Sequence, residues 1–241
     1  MKSLVENPLL KTVLAYFHPA GRPFIVAFAL VTLLLALVGE VSFTVGALLT
    51  AWCCYFFRDP DRVTPVRAGL IVSPADGKVV AIKTVTPDAD LELGGEPCVR
   101  ISIFLNVMDV HVNRMPADAE IVARRYRAGK FINAAFDKAS EDNERNALVL
   151  QLTGDHPRAG QTLGVVQIAG LIARRILCDA KQGDRFKAGE RYGIIRFGSR
   201  ADVYLPPGMV PLVAVGQYMI GGETVIADCV SNEAARAGEK H

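Results

Sequence analysis

Nucleophilic chemistry on a peptide or ester needs a hydroxyl or thiol, a base to take its proton, and a group that orients the base. Three positions supply that set: Ser199 in Arg196-Phe-Gly-Ser-Arg200, His111 in Met108-Asp-Val-His-Val-Asn-Arg-Met-Pro116, and Asp76 in Ser73-Pro-Ala-Asp-Gly77. Ser199 would attack, His111 would take the proton, and Asp76 would orient the imidazole. Gly198 lacks a Cβ, so its carbonyl is open to approach and its turn can bear strain. Each residue also has a plainer reading. Gly-Ser is a common turn, an aspartate in a tight turn bonds its own backbone, and a histidine on a strand is often structural. The chain order Asp, His, Ser is one of several triad orders and carries little by itself. Arg114 is always charged and is no ordinary base. It is either a contact for a substrate carboxylate or phosphate, or a surface charge. The other histidines lie outside strand-like context: His18 near the start, His156 in the loop Gly154-Asp-His-Pro-Arg158, and His241 at the end.

The segments that must position these residues read as short β runs bounded by Gly or Pro. They are 69–73, 78–85, 98–107, 120–125, 147–153, 163–168, 193–197, 203–205, 212–220 and 224–227. Gly221-Gly222 between the last two predicts a hairpin turn. Residues 170–179 fit a helix or a strand equally. The fold class expected is mainly β (α+β): an antiparallel β-rich catalytic domain over 58–241 with short helices, preceded by an N-terminal hydrophobic helical hairpin.

That hairpin accounts for the composition. The chain has 241 residues, of which 51% are hydrophobic, and its mean hydropathy is +0.26. The excess is concentrated: residues 24–57 hold a single charged residue, Glu40. Two apolar runs, 24–39 and 41–57, are each slightly short of a membrane crossing, and one straight helix would put Glu40 at mid-bilayer. A hairpin turning at Gly39-Glu40 avoids that cost, whether it crosses or only dips. Lys2, Lys11 and Arg22 precede the runs, and Arg58, Arg62 and Arg67 follow them, so both ends are expected on the cytoplasmic side of a cell membrane. Residues 1–57 form the expected anchor segment. A net charge of +2 is too weak to indicate nucleic acid, but suits anionic lipid. The basic clusters Arg124-Arg125-x-Arg127 and Arg174-Arg175 either face such lipid or are solvated strand faces. Cysteines 53, 54, 98, 178 and 229 show neither metal spacing nor a disulfide framework, so no metal is expected.

Taken in order, five segments resemble the short bacterial and archaeal class of phosphatidylserine decarboxylases. They are Ser-Pro-Ala-Asp-Gly (73–77), Val-His-Val-Asn-Arg-Met-Pro (110–116), Asn-Glu-Arg-Asn (143–146), Gln-Ile-Ala-Gly-Leu-Ile-Ala-Arg-Arg (167–175) and the stretch from Gly193 to Pro206. The resemblance implies a proenzyme that cuts itself between Gly198 and Ser199 and turns Ser199 into a covalent pyruvoyl cofactor. It also implies a large subunit, 1–198, associated with a small one, 199–241; further homo-oligomerisation stays open. The pyruvoyl ketone would take the amine of phosphatidylserine as a Schiff base and accept the electrons released with CO2, giving phosphatidylethanolamine. His111 would protonate the resulting carbanion. One departure matters. Longer members carry His-x-x-His, the second histidine serving self-cleavage, whereas here Arg114 stands at that place. Either His111 serves both steps, or cleavage proceeds with Asp76 and less base help. From the residues alone, two other readings stay open: a membrane-tethered serine hydrolase using Asp76, His111 and Ser199, and a non-enzymatic β module.

Overall fold

The structure is a computed structural model and describes residues 16–88, 91–129, 143–170, 175–196 and 198–239. Lys2, Lys11, Arg174, Phe197 and His241 lie outside the described residues. The chain divides into two compact units, Met1–Asp61 and Arg62–His241.

The first unit holds a 3-10 turn, Pro19–Gly21, and two short helices, α1 (Arg22–Leu35) and α2 (Glu40–Phe56). Pro23 sits in the first turn of α1, where a missing N–H costs nothing. The two helices touch through small residues. Thr32 and Thr50 share a side-chain hydrogen bond of 2.9 Å. A Cβ on Gly46 would come within 2.9 Å of Thr32 Oγ1, so glycine permits the approach. At the other end Phe24 stacks on Phe57, with centroids 5.6 Å apart. Much of the remaining apolar surface is exposed, including Leu30, Leu34, Leu37, Val41 and Leu48. No helix among the described residues is long and apolar enough to cross a membrane.

The second unit is built from antiparallel sheets. The largest has eight strands in the order β12-β2-β3-β11-β7-β6-β5-β9. Its members are β2 (Gly77–Val85), β3 (Cys98–Leu105), β5 (Ala119–Arg127), β6 (Arg145–Leu152), β7 (Thr162–Ala169), β9 (Arg185–Phe186), β11 (Ser199–Tyr204) and β12 (Tyr218–Met219). A three-stranded sheet orders β4 (Val112–Arg114), β10 (Arg191–Ile195) and β8 (Ile176–Cys178) as β4-β10-β8. The pair β1 (Leu70–Val72) and β13 (Val225–Asp228) completes the set. All the helices among the described residues lie in the first unit.

Two expectations are corrected. The hairpin expected at Gly221-Gly222 is not one: β12 pairs with β2 and β13 pairs with β1, so these glycines carry the chain between two sheets. The run 212–220 is not a single strand either. It folds into a tight turn in which Gln217 N donates to Ala214 O at 3.2 Å, leaving only Tyr218–Met219 extended.

Strand β11 is buried on both faces. Ala201 and Val203 join Ile101, Ile103 and Val165 in the core on one side. Tyr204 packs with Leu91, Cys98, Val166 and Ile168 on the other. Between those apolar groups Arg200 makes a two-pronged pair with Asp202, Nε to Oδ1 and Nη2 to Oδ2, each 2.8 Å. Both side chains are fully buried. Burial, then the Asp202 charge, pushes the Tyr204 phenol up to about 12, so it stays neutral and can donate. Removing one partner of a buried pair costs about 3–5 kcal/mol, because the other charge is left without its counter-ion. Asp202→Ala is therefore expected to lower unfolding free energy by about that amount. Urea titration checks this, and a loss below 1 kcal/mol would contradict it.

Candidate active site

Ser199 is the first residue of β11, not part of a turn. It lies opposite Leu105 of β3 on one edge and Ala169 of β7 on the other. Its side chain is fully buried, and Oγ has no hydrogen-bond partner among the described residues. Leaving a buried hydroxyl unsatisfied costs about 1–3 kcal/mol, so its retention points to a chemical use. The residue before it, Gly198, has φ +63°. A Cβ there would meet nothing within 4 Å, so the glycine is required by backbone conformation rather than by space. A side chain at that φ costs about 1 kcal/mol or somewhat more. The carbonyl preceding Ser199 thus belongs to a residue in the left-handed region, next to a buried hydroxyl that no described residue bonds. That combination fits a serine consumed in an internal reaction with its own peptide bond.

His111 is brought to the same segment through the backbone. It lies just before β4, and its carbonyl accepts from Ile195 N at 3.2 Å, at the end of the strand that leads to Gly198. The imidazole is fully buried. Nδ1 is 2.9 Å from Asp109 O. A carbonyl can only accept, so Nδ1 carries the proton and Nε2 is the basic nitrogen of the neutral ring. This tautomer suits a proton acceptor.

Asp76 sits in the turn before β2. Oδ1 accepts from Gly221 N at 2.7 Å, and Oδ2 accepts from Arg62 Nη2 at 2.7 Å. Gly221 must be small: a Cβ would come within 3.0 Å of the Ala75 carbonyl carbon. The turn is tied to the other site elements twice. Arg114 N donates to Pro74 O at 2.9 Å. Ala75 packs with Leu105 and Ala201, beside Ser199 on its own face of the sheet. Arg114 itself is buried, and its Nη1 donates to Gly189 O at 2.9 Å, so it is no surface charge.

Several residues with a structural part here are not read as site residues from the sequence. Arg62 and Gly221 hold Asp76. The segment Asn143-Glu-Arg-Asn146 gains roles: Asn143 Nδ2 donates to Ala169 O, opposite Ser199, at 2.7 Å, and Asn146 Nδ2 donates to Gln167 Oε1 at 2.8 Å. Glu144 accepts from Tyr126 OH at 3.0 Å. Arg124 was grouped with Arg125 and Arg127 as a surface cluster. It turns inward instead, onto Asn146 Oδ1 and the carbonyls of Cys178 and Ala180. Arg175 and Arg196 are near enough to interact: burial, then the Arg175 charge, depresses Arg196, and Glu144 opposes this. An open cleft of ≈ 340 Å³ elsewhere in this unit is lined by Thr64–Leu70, Thr153, His156 and Lys187, and contains none of Asp76, His111 or Ser199.

The phosphatidylserine decarboxylase family matches residues 49–227. Similar curated proteins carry the name phosphatidylserine decarboxylase proenzyme. That of Cereibacter sphaeroides is 55% identical over 230 residues, covering 95% of this chain and 97% of that protein. That of Granulibacter bethesdensis is 55% identical over 226 residues, covering 94% and 90%. That of Paramagnetospirillum magneticum is 53% identical over 219 residues, covering 91% and 89%.

Because Gly198 is constrained by φ alone, Gly198→Ala should fold with a loss of about 1–2 kcal/mol. Urea denaturation of the intact Ser199→Ala chain, with and without this change, measures the difference. A loss above 4 kcal/mol would mean that space, not φ, selects the glycine.

Proposed function

The chain belongs to the phosphatidylserine decarboxylase family, and from that premise we propose that it decarboxylates phosphatidylserine to phosphatidylethanolamine using a pyruvoyl group made from Ser199. The observation that carries the reading is the buried Ser199 hydroxyl, without a hydrogen-bond partner among the described residues, directly after a glycine at φ +63°.

In the proposed maturation, His111 Nε2 takes the Ser199 Oγ proton as Oγ adds to the Gly198 carbonyl carbon. The C=O electron pair moves to the carbonyl oxygen. Collapse of that oxyanion expels the Ser199 nitrogen, which takes up the proton, and leaves an ester in place of the amide. Loss of the Ser199 α-proton then expels the Gly198 carboxylate and leaves a dehydroalanine. One water converts this to ammonia and the pyruvoyl group. The supporting geometry is the tautomer of His111, set by Asp109 O, and the backbone tie between His111 and β10. Asp76, held between Arg62 and Gly221 on the turn whose Pro74 O accepts from Arg114 N, assists as a nearby negative charge, while Asp109 O orients the imidazole. Once formed, the group supplies a ketone that binds the substrate amine and draws off the electron pair released with CO2. His111 then returns a proton to the substrate carbon. Arg114, three residues from His111, holds the anionic head group. The small subunit, 199–241, would contribute β11, β12 and β13 and stay bound to the large one through their strand pairing.

We place the protein at the cytoplasmic face of the cell membrane, with α1 and α2 as an apolar hairpin dipping into one leaflet. At 1.5 Å per residue, 14 and 17 residues reach about 21 and 25 Å, short of the roughly 30 Å hydrocarbon core. The exposed Leu30, Leu34, Leu37 and Val41 support burial in lipid, and Arg58 beyond α2 suits anionic head groups.

Mass measurement under denaturing conditions tests the chemistry. Two fragments split after Gly198 are expected, the smaller bearing a blocked, pyruvoyl N-terminus; an intact chain with full activity would sink the proposal. Ser199→Ala should abolish both cleavage and decarboxylation. His111→Ala should lower both by at least 100-fold; normal cleavage in that variant would show that His111 is not the cleavage base. Leu34→Glu with Leu37→Glu should abolish co-sedimentation with phosphatidylserine vesicles, and undiminished sedimentation would refute the hairpin's role.

A further inference from the structure

Four buried or half-buried side chains form a hydrogen-bonded line whose third member, Gln167, is a diagonal neighbour of Ser199 on the sheet. Arg124 Nε donates to Asn146 Oδ1 at 2.9 Å. Asn146 Nδ2 donates to Gln167 Oε1 at 2.8 Å, and Gln167 Nε2 donates to Asn113 Oδ1 at 2.8 Å. Asn113, Gln167 and Asn146 are fully buried. The direction of this line is fixed by chemistry. A guanidinium can only donate, so Asn146 must present oxygen to it. Each amide then passes the same polarity on. The last amide, Asn113, has its oxygen committed and its Nδ2 facing onward, with no partner among the described residues. An isolated asparagine can present either end, whereas this one is held as a donor by a cation three links away.

The third member of the line neighbours Ser199. Gln167 is opposite Ala201 on β11, and Ser199 is opposite Ala169. Residues two apart on a strand share a face, so Ser199 and Gln167 project from the same side of the sheet as diagonal neighbours. Such pairs are about 7–8 Å apart at Cα. Asn113 covers that face from the other sheet, two residues beyond His111. Gly193, opposite Asn113 on β10, leaves the room: a Cβ there would lie 3.2 Å from Gln167 Nε2. Two buried polar atoms without partners among the described residues, a hydroxyl and an amide N–H, therefore belong to residues that both neighbour Gln167.

We propose that Asn113 Nδ2 is the hydrogen-bond donor to the oxyanion formed when Ser199 Oγ adds to the Gly198 carbonyl, with Arg124, Asn146 and Gln167 as positioning residues that fix its polarity. The inference rests on the self-cleavage reading. In that step the C=O π pair becomes a negative charge on the Gly198 oxygen, and the charge returns to the C=O bond when the Ser199 nitrogen departs. A preorganised buried donor at such an oxygen is commonly worth about 100-fold or more in rate. It assists without titrating, which matters where Arg114 stands at the position of a second histidine.

Gln167→Glu separates this role from simple packing. The carboxylate keeps the shape and still accepts from Asn146. It cannot donate to Asn113, which must turn its NH2 towards it and present oxygen to the site. Full-length chain freshly made by cell-free translation is shifted to buffers between pH 5.5 and 8.5, and cleavage is followed by denaturing mass measurement. At pH 8.5 the variant should cleave about 100-fold more slowly than the unaltered chain. The ratio should narrow as pH falls, because a protonated carboxyl donates again. Asn113→Asp keeps the bond from Gln167, removes the terminal donor and places a carboxyl there instead. It should be slow at pH 8.5 with a melting temperature within a few degrees of the unaltered chain. Cleavage at the unaltered rate in either folded variant overturns the proposal. So does a deficit in Gln167→Glu that is equal at every pH, or failure of both variants to fold, since each assigns the line to core structure alone. If the unaltered chain does not split after Gly198, the self-cleavage reading itself fails and this inference falls with it.

Discussion

A serine that must react with its own peptide bond has to be immobilised without being hydrogen-bonded away. The pairing of β11 on both edges meets that demand. With Leu105 on one side and Ala169 on the other, the backbone of Ser199 is fixed by two ladders while its Oγ makes no bond to a described residue. The rest of the second unit follows from keeping that strand central. Both its faces must be covered, so the main core packs on Ala201 and Val203, and a second cluster packs on Tyr204. The Arg200–Asp202 pair lies within the covered outer face, which explains how two charges persist beside Ile168 and Val166. The Asp76 turn and the β4–β10 pair then close over the Ser199 end of the strand.

Much of this architecture is legible in the residues. The runs over 78–85, 98–107 and 163–168 announce themselves as strands through Val and Ile between turn residues, the second ending two residues early at Leu105, and the motifs around Asp76, His111 and Ser199 point to one chemistry. What stays hidden has physical reasons. Ser199 reads as a turn because Gly-Ser is a common turn pair, although Arg200 to Val203 alternate charged and apolar residues as a strand does. β4 is three residues long, too short for any period to register. Gly221-Gly222 looks like a hairpin because local sequence does not reveal which sheet each flanking strand joins. Arg124 looks like part of a basic surface patch because its acceptors, Asn146 and two carbonyls, come from β6 and the β8 region. The amides of Asn113, Gln167 and Asn146 fall in three of the segments that carry the resemblance, yet nothing local shows that they meet. Their contacts span 54 and 21 residues of sequence, and only folding brings them into line.

The polar interior illustrates how such a site can be both stable and reactive. Asp76 is satisfied on both oxygens, by Arg62 and by Gly221 N. The amide line is satisfied at every link but its last. Among the described residues, Asn113 Nδ2 and Ser199 Oγ are left without hydrogen-bond partners near where charge is expected to develop, and partly satisfied buried polar networks of this kind are costly.

The central position of β11 also bears on how the working protein is maintained. Residues 199–241 supply an inner strand of the eight-stranded sheet and one member of the β1–β13 pair. With the cut after Gly198, the catalytic group would be the end of a chain woven through the core. A diffusible cofactor that is damaged can be exchanged for a fresh molecule. A group embedded in this way has no replacement part, because releasing it means unfolding the enzyme. Each molecule would thus be charged once, at its own maturation, and lasting loss of the group would retire it. The amount of active protein in a cell would then follow the rate of translation and folding rather than the size of any cofactor pool.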